Sequence, residues 1–286
     1  MQRSTHHSSI TQRKCRMNSI YQLRRDIIGV CKRIYARGYV ASNDGNVSVR
    51  ISEDRVLTTP TGMSKGFLTE EQLILCDMEG NKVSGELRPS SEVKMHIMVY
   101  REREDINAVV HAHPVTATGF AVAGIPLAQC VLPEVVITLG EIPIAEYGTP
   151  STEEIPNSIR KYIQDYDAFL LENHGALTIG PDVVNAYHKM ETLEHFAQIT
   201  LVARQLGKVN VLSDENVQRL MEVREQLGVK GRNPMVCRLC TENCPNRASG
   251  GDQSTETTPT AQAVLPGTDE QLVKSITERV MATLKS

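Results

Sequence analysis

Short β-like runs joined by tight turns set the strongest limit on how this chain can fold. They come in hairpin-like clusters with helical patterns between them, without a steady alternation of strand and helix. This order favours a mixed or antiparallel sheet covered by helices over a parallel, doubly wound one. The predicted strands are 46–51, 55–59, 73–77, 108–113 and 168–172, and the predicted helices are 19–38, 90–103 and 182–205.

The charge balance and the apolar runs exclude two classes of partner. The chain has 31 basic and 34 acidic side chains, a net charge of −3, which is unlike a general nucleic-acid binder. None of its apolar runs approaches the roughly 18 residues of a membrane helix. We therefore expect no nucleic-acid partner and no membrane span. The seven cysteines are odd in number, four scattered and three bunched near residue 240, which favours a reducing, cytoplasmic environment over a disulfide framework.

The composition divides the 286 residues into four parts. Residues 1–17 are polar and basic and are predicted to be a flexible leader, with an organelle transit segment as the alternative. Residues 18–232 carry the regular patterns and should form the folded body. Residues 233–267 contain clustered cysteines and a Ser/Thr/Gly/Pro-rich linker. Residues 268–286 regain helical periodicity.

The most informative motif is a pair of histidines at the end of an apolar strand. His111 and His113 are two residues apart, so on a strand their imidazoles point to the same face. His174 also follows an apolar strand. Neutral imidazole is a usual zinc ligand, and three histidines with an open fourth position form a catalytic type of site. Two structural or surface histidines are the alternative interpretation. Three other histidines fall within helical patterns and are predicted at the core edge or surface: His96, His188 and His195.

Small polar residues in three segments predict an anion-binding site. Ser90 and Ser91 precede a helix, where hydroxyls either cap the helix or join its free N–H groups in binding an anion. The macrodipole also favours the carboxylate of Glu92 in that first turn, so this residue has a structural interpretation as well. Two turns, 45–48 and 59–62, combine small polar side chains with a flexible backbone suited to phosphate.

Taken together and in this order, the motifs resemble those of the class II aldolase family. That family includes L-fuculose-1-phosphate aldolase and, as a close relative, L-ribulose-5-phosphate 4-epimerase. The resemblance spans about residues 18–230. It implies a three-layer α/β/α fold with a mostly antiparallel central sheet and a homotetramer with sites between subunits. The matching segments are 45–48, 59–62, 89–92, 111–113, 147–149 and 173–175.

The resemblance also implies a role for individual residues. His111, His113 and His174 match the ligands of one Zn²⁺ per subunit, with other divalent ions as alternatives. Glu92 falls where the aldolases carry their catalytic acid/base, and the epimerases are expected to have Asp there. The positions that match the phosphate site are Asn46, Thr61, Gly62, Ser90 and Ser91.

The implied reaction is cleavage of a 6-deoxy-ketose 1-phosphate, L-fuculose or L-rhamnulose 1-phosphate. The products are dihydroxyacetone phosphate and L-lactaldehyde. A 4-epimerase of L-ribulose 5-phosphate is the enzyme alternative. An adducin-like binding module is the non-enzyme alternative, and loss of the metal histidines is its expected mark. All three histidines are present here.

Two tyrosines of the family's fuculose enzymes have no counterpart in this chain. An ungapped comparison puts the first near Cys130 and the second near Leu227. Delivery of a proton to the aldehyde half is therefore not assigned, and neither is the sugar stereochemistry. Tyr147 is near in sequence but receives no role.

The C-terminal extension carries two further predictions. Cys237, Cys240 and Cys244 have the spacing of a partial zinc or iron–sulfur site, with redox-labile or inert thiols as the alternative. The segment 268–286 has one apolar helical stripe and resembles an encapsulation peptide of bacterial microcompartment cargo enzymes. It implies contacts with shell or cargo proteins by helix-in-groove binding, with docking onto its own body or oligomer as the alternative.

Overall fold

The computed structural model of the chain describes residues 5–232, with side chains from residue 20 onwards. The cysteine cluster, the linker and the predicted C-terminal helix lie outside the described residues. Within the described part, no helix is both long and apolar enough to cross a membrane.

The first half of the body forms a helix, a four-stranded meander, a second helix and a central strand. These elements are α1 (Thr5–Ala36), β1 (Asn46–Ser52), β2 (Arg55–Thr58), β3 (Ile74–Cys76), β4 (Lys82–Ser84), α2 (Val93–Glu102) and β5 (Ala108–Ala112). Helix α1 begins within the segment predicted as a flexible leader, because no glycine or proline interrupts the chain before Gly29.

The second half adds five helices and three strands. These are α3 (Val115–Val122), α4 (Pro133–Thr138), β6 (Ile144–Ala145), α5 (Glu154–Arg160), β7 (Ala168–Leu171), β8 (Gly175–Gly180), α6 (Val183–Gln205) and α7 (Asp214–Gln226). All eight predicted helices and strands are present. Strands β4, β6 and β8 were not predicted, because two are only two or three residues long and β8 is bounded by glycines.

The strands form one eight-stranded sheet in the order β4-β3-β2-β1-β5-β8-β7-β6. Every neighbouring pair is antiparallel except β6 and β7, which are parallel. The sheet is therefore mixed and mostly antiparallel, as the hairpin-like order of strands predicts. Two adjacent inner strands, β5 and β8, are buried along their whole length.

Hydrophobic clusters lie on both faces of the sheet because successive side chains of a strand alternate in direction. Val110 of β5 belongs to a cluster with residues of α1, α3 and α6. Its neighbour Val109 belongs to a second cluster with residues of α2 and α5. The helices thus cover both faces, and the sites of interest lie at the strand ends.

A buried ion cluster lies where β7 begins. Asp167, immediately before β7, accepts hydrogen bonds from Arg103 Nη2 at 3.0 Å and Lys189 Nζ at 2.8 Å. It also accepts the backbone N–H of Arg232 at 3.0 Å. Arg103 completes its pairing with Asp105 and with the carbonyl of Ile163. The cluster joins α2, β7 and α6 to the last described residues.

Candidate active site

The three predicted histidines meet at the opposite end of the same strands. His111 lies on β5, His113 directly follows that strand, and His174 lies in the turn between β7 and β8. One ring nitrogen from each lies within 4.8 Å of the others. The ring centroids are 4.8–5.1 Å apart. This spacing suits three ligands of one metal ion.

The turn that carries His174 depends on two residues with little steric demand. Asn173 has a φ of +54°, in the left-handed region that asparagine tolerates better than most residues. At Gly175 a Cβ atom would lie 2.5 Å from His113 Cδ2 and 2.7 Å from the carbonyl oxygen of Ala112. Only glycine therefore lets the His113 ring lie against the start of β8.

His111 has one ring nitrogen fixed and the other free for a ligand. Its Nδ1 lies 2.9 Å from the carbonyl oxygen of Ala176, which can only accept, so Nδ1 carries the proton and donates. Its Nε2 then presents a lone pair, 3.1 Å from Nε2 of His113. Burial, and then the neighbouring histidines, hold the pKa of His111 well below its usual value. The neutral form is the one that binds metal.

Glu92 completes the group of potential ligands. Its Oε2 lies 3.4 Å from His111 Nε2, and its Oε1 lies 3.3 Å from His174 Nε2. The Asn46 side-chain amide donates to Oε2 at 2.7 Å. Oε1 of Glu92 and Nδ1 of His174 are buried without a hydrogen-bond partner in the described part of the chain. Three imidazoles, one carboxylate and these unsatisfied atoms fit a divalent metal ion.

Asp44 is a member of this site that the sequence did not reveal. Its Oδ2 lies 3.6 Å from Nδ1 of His113. The turn that carries it passes close to β5: at Gly45, with φ of +70°, a Cβ atom would lie 2.8 Å from the carbonyl oxygen of His111. The sequence showed a turn here, but not that the turn would face a histidine.

A cleft of about 190 Å³ adjoins the histidines. Its walls come together because the segments before Thr61 and Ser90 pair: Thr61 N donates to the Arg88 carbonyl and Ser90 N to the Thr59 carbonyl, both at 3.1 Å. All five residues predicted to bind phosphate line it. The described lining residues are Asn43, Asp44, Gly45, Asn46, Pro60, Thr61, Gly62, Lys65, Ser90, Ser91, Glu92, His113, Pro150 and His174.

Two of those five residues already make bonds inside the protein. Asn46 donates to Glu92, and its Oδ1 is buried without a partner among the described residues. The Ser90 hydroxyl accepts the backbone N–H of Glu92 at 3.2 Å, a local bond of the kind that capping residues make. Helix α2 accordingly begins at Val93, three residues later than predicted. Thr61, Gly62 and Ser91 are more exposed in the cleft.

A larger cavity, about 580 Å³, contains none of the predicted site residues. It lies between the end of α1 and α6 and is lined by Arg37, Tyr39, His188, Glu191, Thr192, His195 and Gln198. His188 and His195 are exposed there, as predicted. The smaller cleft is the better candidate because two of the three histidines line it and because Asn46, Glu92 and His174 each contribute to it a buried atom without a hydrogen-bond partner among the described residues.

His96 lies deeper than the core edge expected for it. It is 1% exposed, and its Nδ1 lies 2.7 Å from the Ser48 hydroxyl, which lies 2.7 Å from the Tyr100 hydroxyl. Burial lowers the pKa of His96 to about 3. The helical pattern predicted that one face of α2 points into the core. Ser48 contacts that face from strand β1, and nothing in the sequence indicated this contact.

The two positions matched to the family tyrosines differ in residue type and in burial. Cys130 is half-buried, and burial raises the pKa of its thiol to about 11. Leu227 follows α7 and is 66% exposed. Tyr147 is also exposed, and its backbone N–H donates to the Glu172 carboxylate at 2.8 Å.

Comparisons with known proteins place the chain in a family. The profile of the Class II Aldolase and Adducin N-terminal domain matches residues 25–201. The L-fuculose phosphate aldolase of Methanococcus maripaludis is 36% identical over 181 residues, which are 63% of this chain and 97% of that protein. The 3-oxo-tetronate 4-phosphate decarboxylase of Haemophilus influenzae is 33% identical over 193 residues, 66% of this chain and 91% of that protein.

A solved structure of an L-fuculose 1-phosphate aldolase matches with a TM-score of 0.67 and 30% identity. The match covers 71% of this chain and 96% of that one. The chain therefore belongs to the class II aldolase and adducin N-terminal domain family, and its body has the α/β class II aldolase fold. Its relatives make it an aldolase or lyase-type enzyme, and the three histidines form the metal-site arrangement expected in this metal-dependent class.

Proposed function

We propose that the chain is a zinc-dependent aldolase that cleaves L-fuculose or L-rhamnulose 1-phosphate to dihydroxyacetone phosphate and L-lactaldehyde. The observation that carries the proposal is the meeting of three histidine nitrogens with the Glu92 carboxylate at the edge of a cleft lined by small polar groups. The relatives named as L-fuculose phosphate aldolases support this substrate class.

In this proposal His111, His113 and His174 hold the metal ion. A bound zinc ion supplies Lewis acidity, which stabilises the negative charge that develops on the substrate carbonyl when the carbon–carbon bond breaks. The proton on His111 Nδ1 is held by the Ala176 carbonyl, which keeps Nε2 as the ligand atom. Asp44 stands behind His113, 3.6 Å from its Nδ1.

Glu92 moves the proton on the dihydroxyacetone phosphate half. Breaking the C3–C4 bond of the ketose leaves the bonding electrons on C3, and C3 gains a proton as the product forms. The Glu92 carboxylate is held for this task by the Asn46 amide at 2.7 Å and lies beside the metal-binding nitrogens. A positioned acid/base group of this kind contributes roughly 10²–10⁴-fold to the rate.

The cleft orients the phosphate end of the substrate and takes no part in bond breaking. Exposed hydroxyl and backbone groups come from Thr61, Gly62 and Ser91. The other two residues, Asn46 and Ser90, each form a hydrogen bond with Glu92. On the aldehyde half, O4 loses its proton as the C4 carbonyl forms. In the ungapped comparison the family tyrosines fall near Cys130 and Leu227, neither of which is a tyrosine, so the acceptor of the O4 proton is not assigned.

A decarboxylase of 3-oxo-tetronate 4-phosphate is the second candidate function. The relatives with that name are about as similar to the chain as the fuculose aldolases. The chemistry is related, because losing CO₂ from a 3-oxo acid also leaves electrons next to a carbonyl. The 4-epimerase of L-ribulose 5-phosphate is a third candidate. It is less well supported because the epimerases are expected to carry Asp where this chain has Glu92.

Product analysis on metal-reconstituted protein separates these candidates. The substrates are L-fuculose 1-phosphate, L-rhamnulose 1-phosphate, L-ribulose 5-phosphate and 3-oxo-tetronate 4-phosphate. We expect equimolar dihydroxyacetone phosphate and L-lactaldehyde from one of the first two, abolished by a chelator and restored by Zn²⁺. Release of CO₂ together with dihydroxyacetone phosphate from 3-oxo-tetronate 4-phosphate, without cleavage of the ketose 1-phosphates, assigns the decarboxylase. An epimerised pentulose without aldehyde assigns the epimerase. No turnover by metal-loaded protein assigns the adducin-like module.

Assembly and location are part of the same proposal. The helices on both faces of the sheet support the three-layer arrangement, and the resemblance to the aldolases supports a homotetramer. We place the enzyme in the cytoplasm, inside a bacterial microcompartment, through residues 268–286. Fusing residues 264–286 to a fluorescent protein tests this location: puncta are expected in cells that make shells, and a diffuse signal contradicts it. The cysteine cluster 237–244 remains a predicted second metal or redox site.

A further inference from the structure

Lys65 is a buried lysine at the wall of the cleft. Its side chain is only 1% exposed. The ammonium donates to the carbonyl oxygen of Asn43 at 2.8 Å and to that of Met63 at 2.5 Å. Asn43 immediately precedes the Asp44–Gly45 turn, and Met63 immediately follows Gly62. Lys65 therefore ties together two turns that both line the cleft.

The ammonium of Lys65 forms no ion pair with any carboxylate of the described residues. No carboxylate of the described residues lies within 4.0 Å of its ammonium, whereas the other buried lysine, Lys189, contacts Asp167 at 2.8 Å. Taking an ammonium out of water without an ion partner is costly. Burial lowers the pKa of Lys65, while Cys31 and Asp44 oppose that effect. The arrangement leaves a buried positive charge to be matched from outside.

The charges around the cleft indicate what would match it. Among the described lining residues Lys65 is the one lysine or arginine, and Asp44 and Glu92 are the acids. A phosphate monoester brings a charge of about −1.5 to −2 at neutral pH. An ammonium has three N–H donors, and the two carbonyls use two of them. One donor remains for an oxygen of an anion in the cleft.

We propose that Lys65 is the cationic residue of the phosphate site. Its ammonium holds two turns of the cleft together and supplies the positive charge that the phosphate end of the substrate requires. This inference rests on the proposed function, because it takes the cleft to be the phosphate site. It assigns Lys65 a role in binding and leaves bond breaking to Glu92 and the metal site.

Binding of inorganic phosphate to metal-loaded protein tests the role directly. Lys65→Met removes the charge and the donors, Lys65→Gln removes the charge and keeps donors, and Lys65→Arg keeps both. Lys82→Met, on the exposed strand β4, changes the net charge equally and is the matched control. Calorimetric titration gives the dissociation constant, while metal content and thermal midpoint report on the integrity of each variant.

We expect Lys65→Met and Lys65→Gln to weaken phosphate binding about tenfold or more, as loss of a charged hydrogen bond does. Lys65→Arg and Lys82→Met should stay within a few-fold of the parent. With the substrate identified, KM should rise in the Gln variant and kcat should change little. A merely structural lysine would instead give equal phosphate binding in the Gln variant and the parent, which overturns the inference.

Two further outcomes separate this inference from the proposed function. If the parent protein itself binds no phosphate, the assignment of the cleft fails, and the inference fails with it. If the parent binds phosphate and the Met and Gln variants bind it equally well, only the role of Lys65 fails. Should Lys65→Met not fold, the Gln and Arg pair decides alone: equal binding by the two overturns the role, and weaker binding by Gln supports it.

Discussion

Buried polar groups lie at both ends of strands β5, β7 and β8, and the two ends differ in whether the protein supplies hydrogen-bond partners for them. At one end Asp167 is matched by Arg103, Lys189 and a backbone N–H, so its charge and its oxygens are satisfied within the protein. At the other end Glu92 Oε1 and His174 Nδ1 are buried without a hydrogen-bond partner in the described residues.

The difference separates a structural cluster from a binding site. A buried polar group that lacks a partner is costly, so a fold keeps such groups where a ligand supplies the missing contacts. The same contrast distinguishes Lys189, paired with Asp167, from Lys65, which has no ion pair in the described chain. Substitutions at the two ends should therefore have different consequences: activity at the histidine end, stability at the Asp167 end.

The largest effect is expected from Glu92→Gln. It removes the carboxylate proposed to move the proton and keeps an acceptor for the Asn46 amide, so kcat should fall by roughly 10²–10⁴-fold. Metal content and thermal midpoint should be close to the parent's. Steady-state kinetics with the identified substrate measures the effect, and Glu146→Gln, at an exposed ion pair, is the matched control. Full activity of the Glu92 variant would rule out its assigned role.

Asp167→Asn should have the next largest effect, and it should act on stability. It leaves the buried Arg103 and Lys189 without their shared carboxylate, and breaking such a cluster typically costs about 3–5 kcal/mol. Urea unfolding gives the free energy. Glu79→Gln, which breaks the half-exposed pair with Arg101, should stay within about 1 kcal/mol. A large loss of kcat per folded molecule in the Asp167 variant would contradict the division between the two ends.

Gly175→Ala tests how closely the turn holds the histidines. The added Cβ would come within 2.5 Å of the His113 ring, so the ring must move. We expect a metal affinity about 10–100-fold lower, as for other changes that misorient a ligand. Competition with a chelator measures it. Gly119→Ala is the matched control, since nothing lies within 4 Å of that position in helix α3. Unchanged affinity at Gly175 would show that the turn does not position His113.

The smallest effect, taken per pH unit, is a pH dependence of stability at the histidine end. Burial lowers the pKa of His96 from 6.5 to about 3. Between those values the unfolded chain binds a proton that the folded chain does not, so stability is full above pH 6.5 and falls as the pH falls. One such group costs about 1.4 kcal/mol per pH unit. Urea unfolding of chelated protein at several pH values should show a slope lower by that amount in His96→Gln. Equal slopes in parent and variant would mean that His96 is protonated in the fold.

Much of the fold was predictable because local patterns carry it. The alternation of apolar residues and the turn-forming segments gave the strands, and helical spacing gave α2 and α6. Strands β4 and β6 were not predicted because two or three residues are too few to show a period. Strand β8 escaped because its burial on both faces removes the alternation that marks a half-exposed strand.

The candidate site was predictable only in part. His111 and His113 are neighbours in sequence, so the two-residue period of a strand alone predicts that they converge. Asp44, Lys65 and the Ser48–His96 pair come from segments that meet only when the sheet forms. Nothing in the sequence around Lys65 indicates that its ammonium lies between two turns.

The sequence by itself determined which groups this protein has: three histidines that can bind a metal ion, a carboxylate proposed as the acid/base, small polar turns and the order of strands. Short-range periodicity and residue chemistry carry that information along the chain. The tertiary structure decided which of these groups find partners within the protein and which remain available to bind a ligand. Burial and partner choice depend on contacts between distant segments, and those contacts separate the paired Lys189 from the unpaired charge of Lys65.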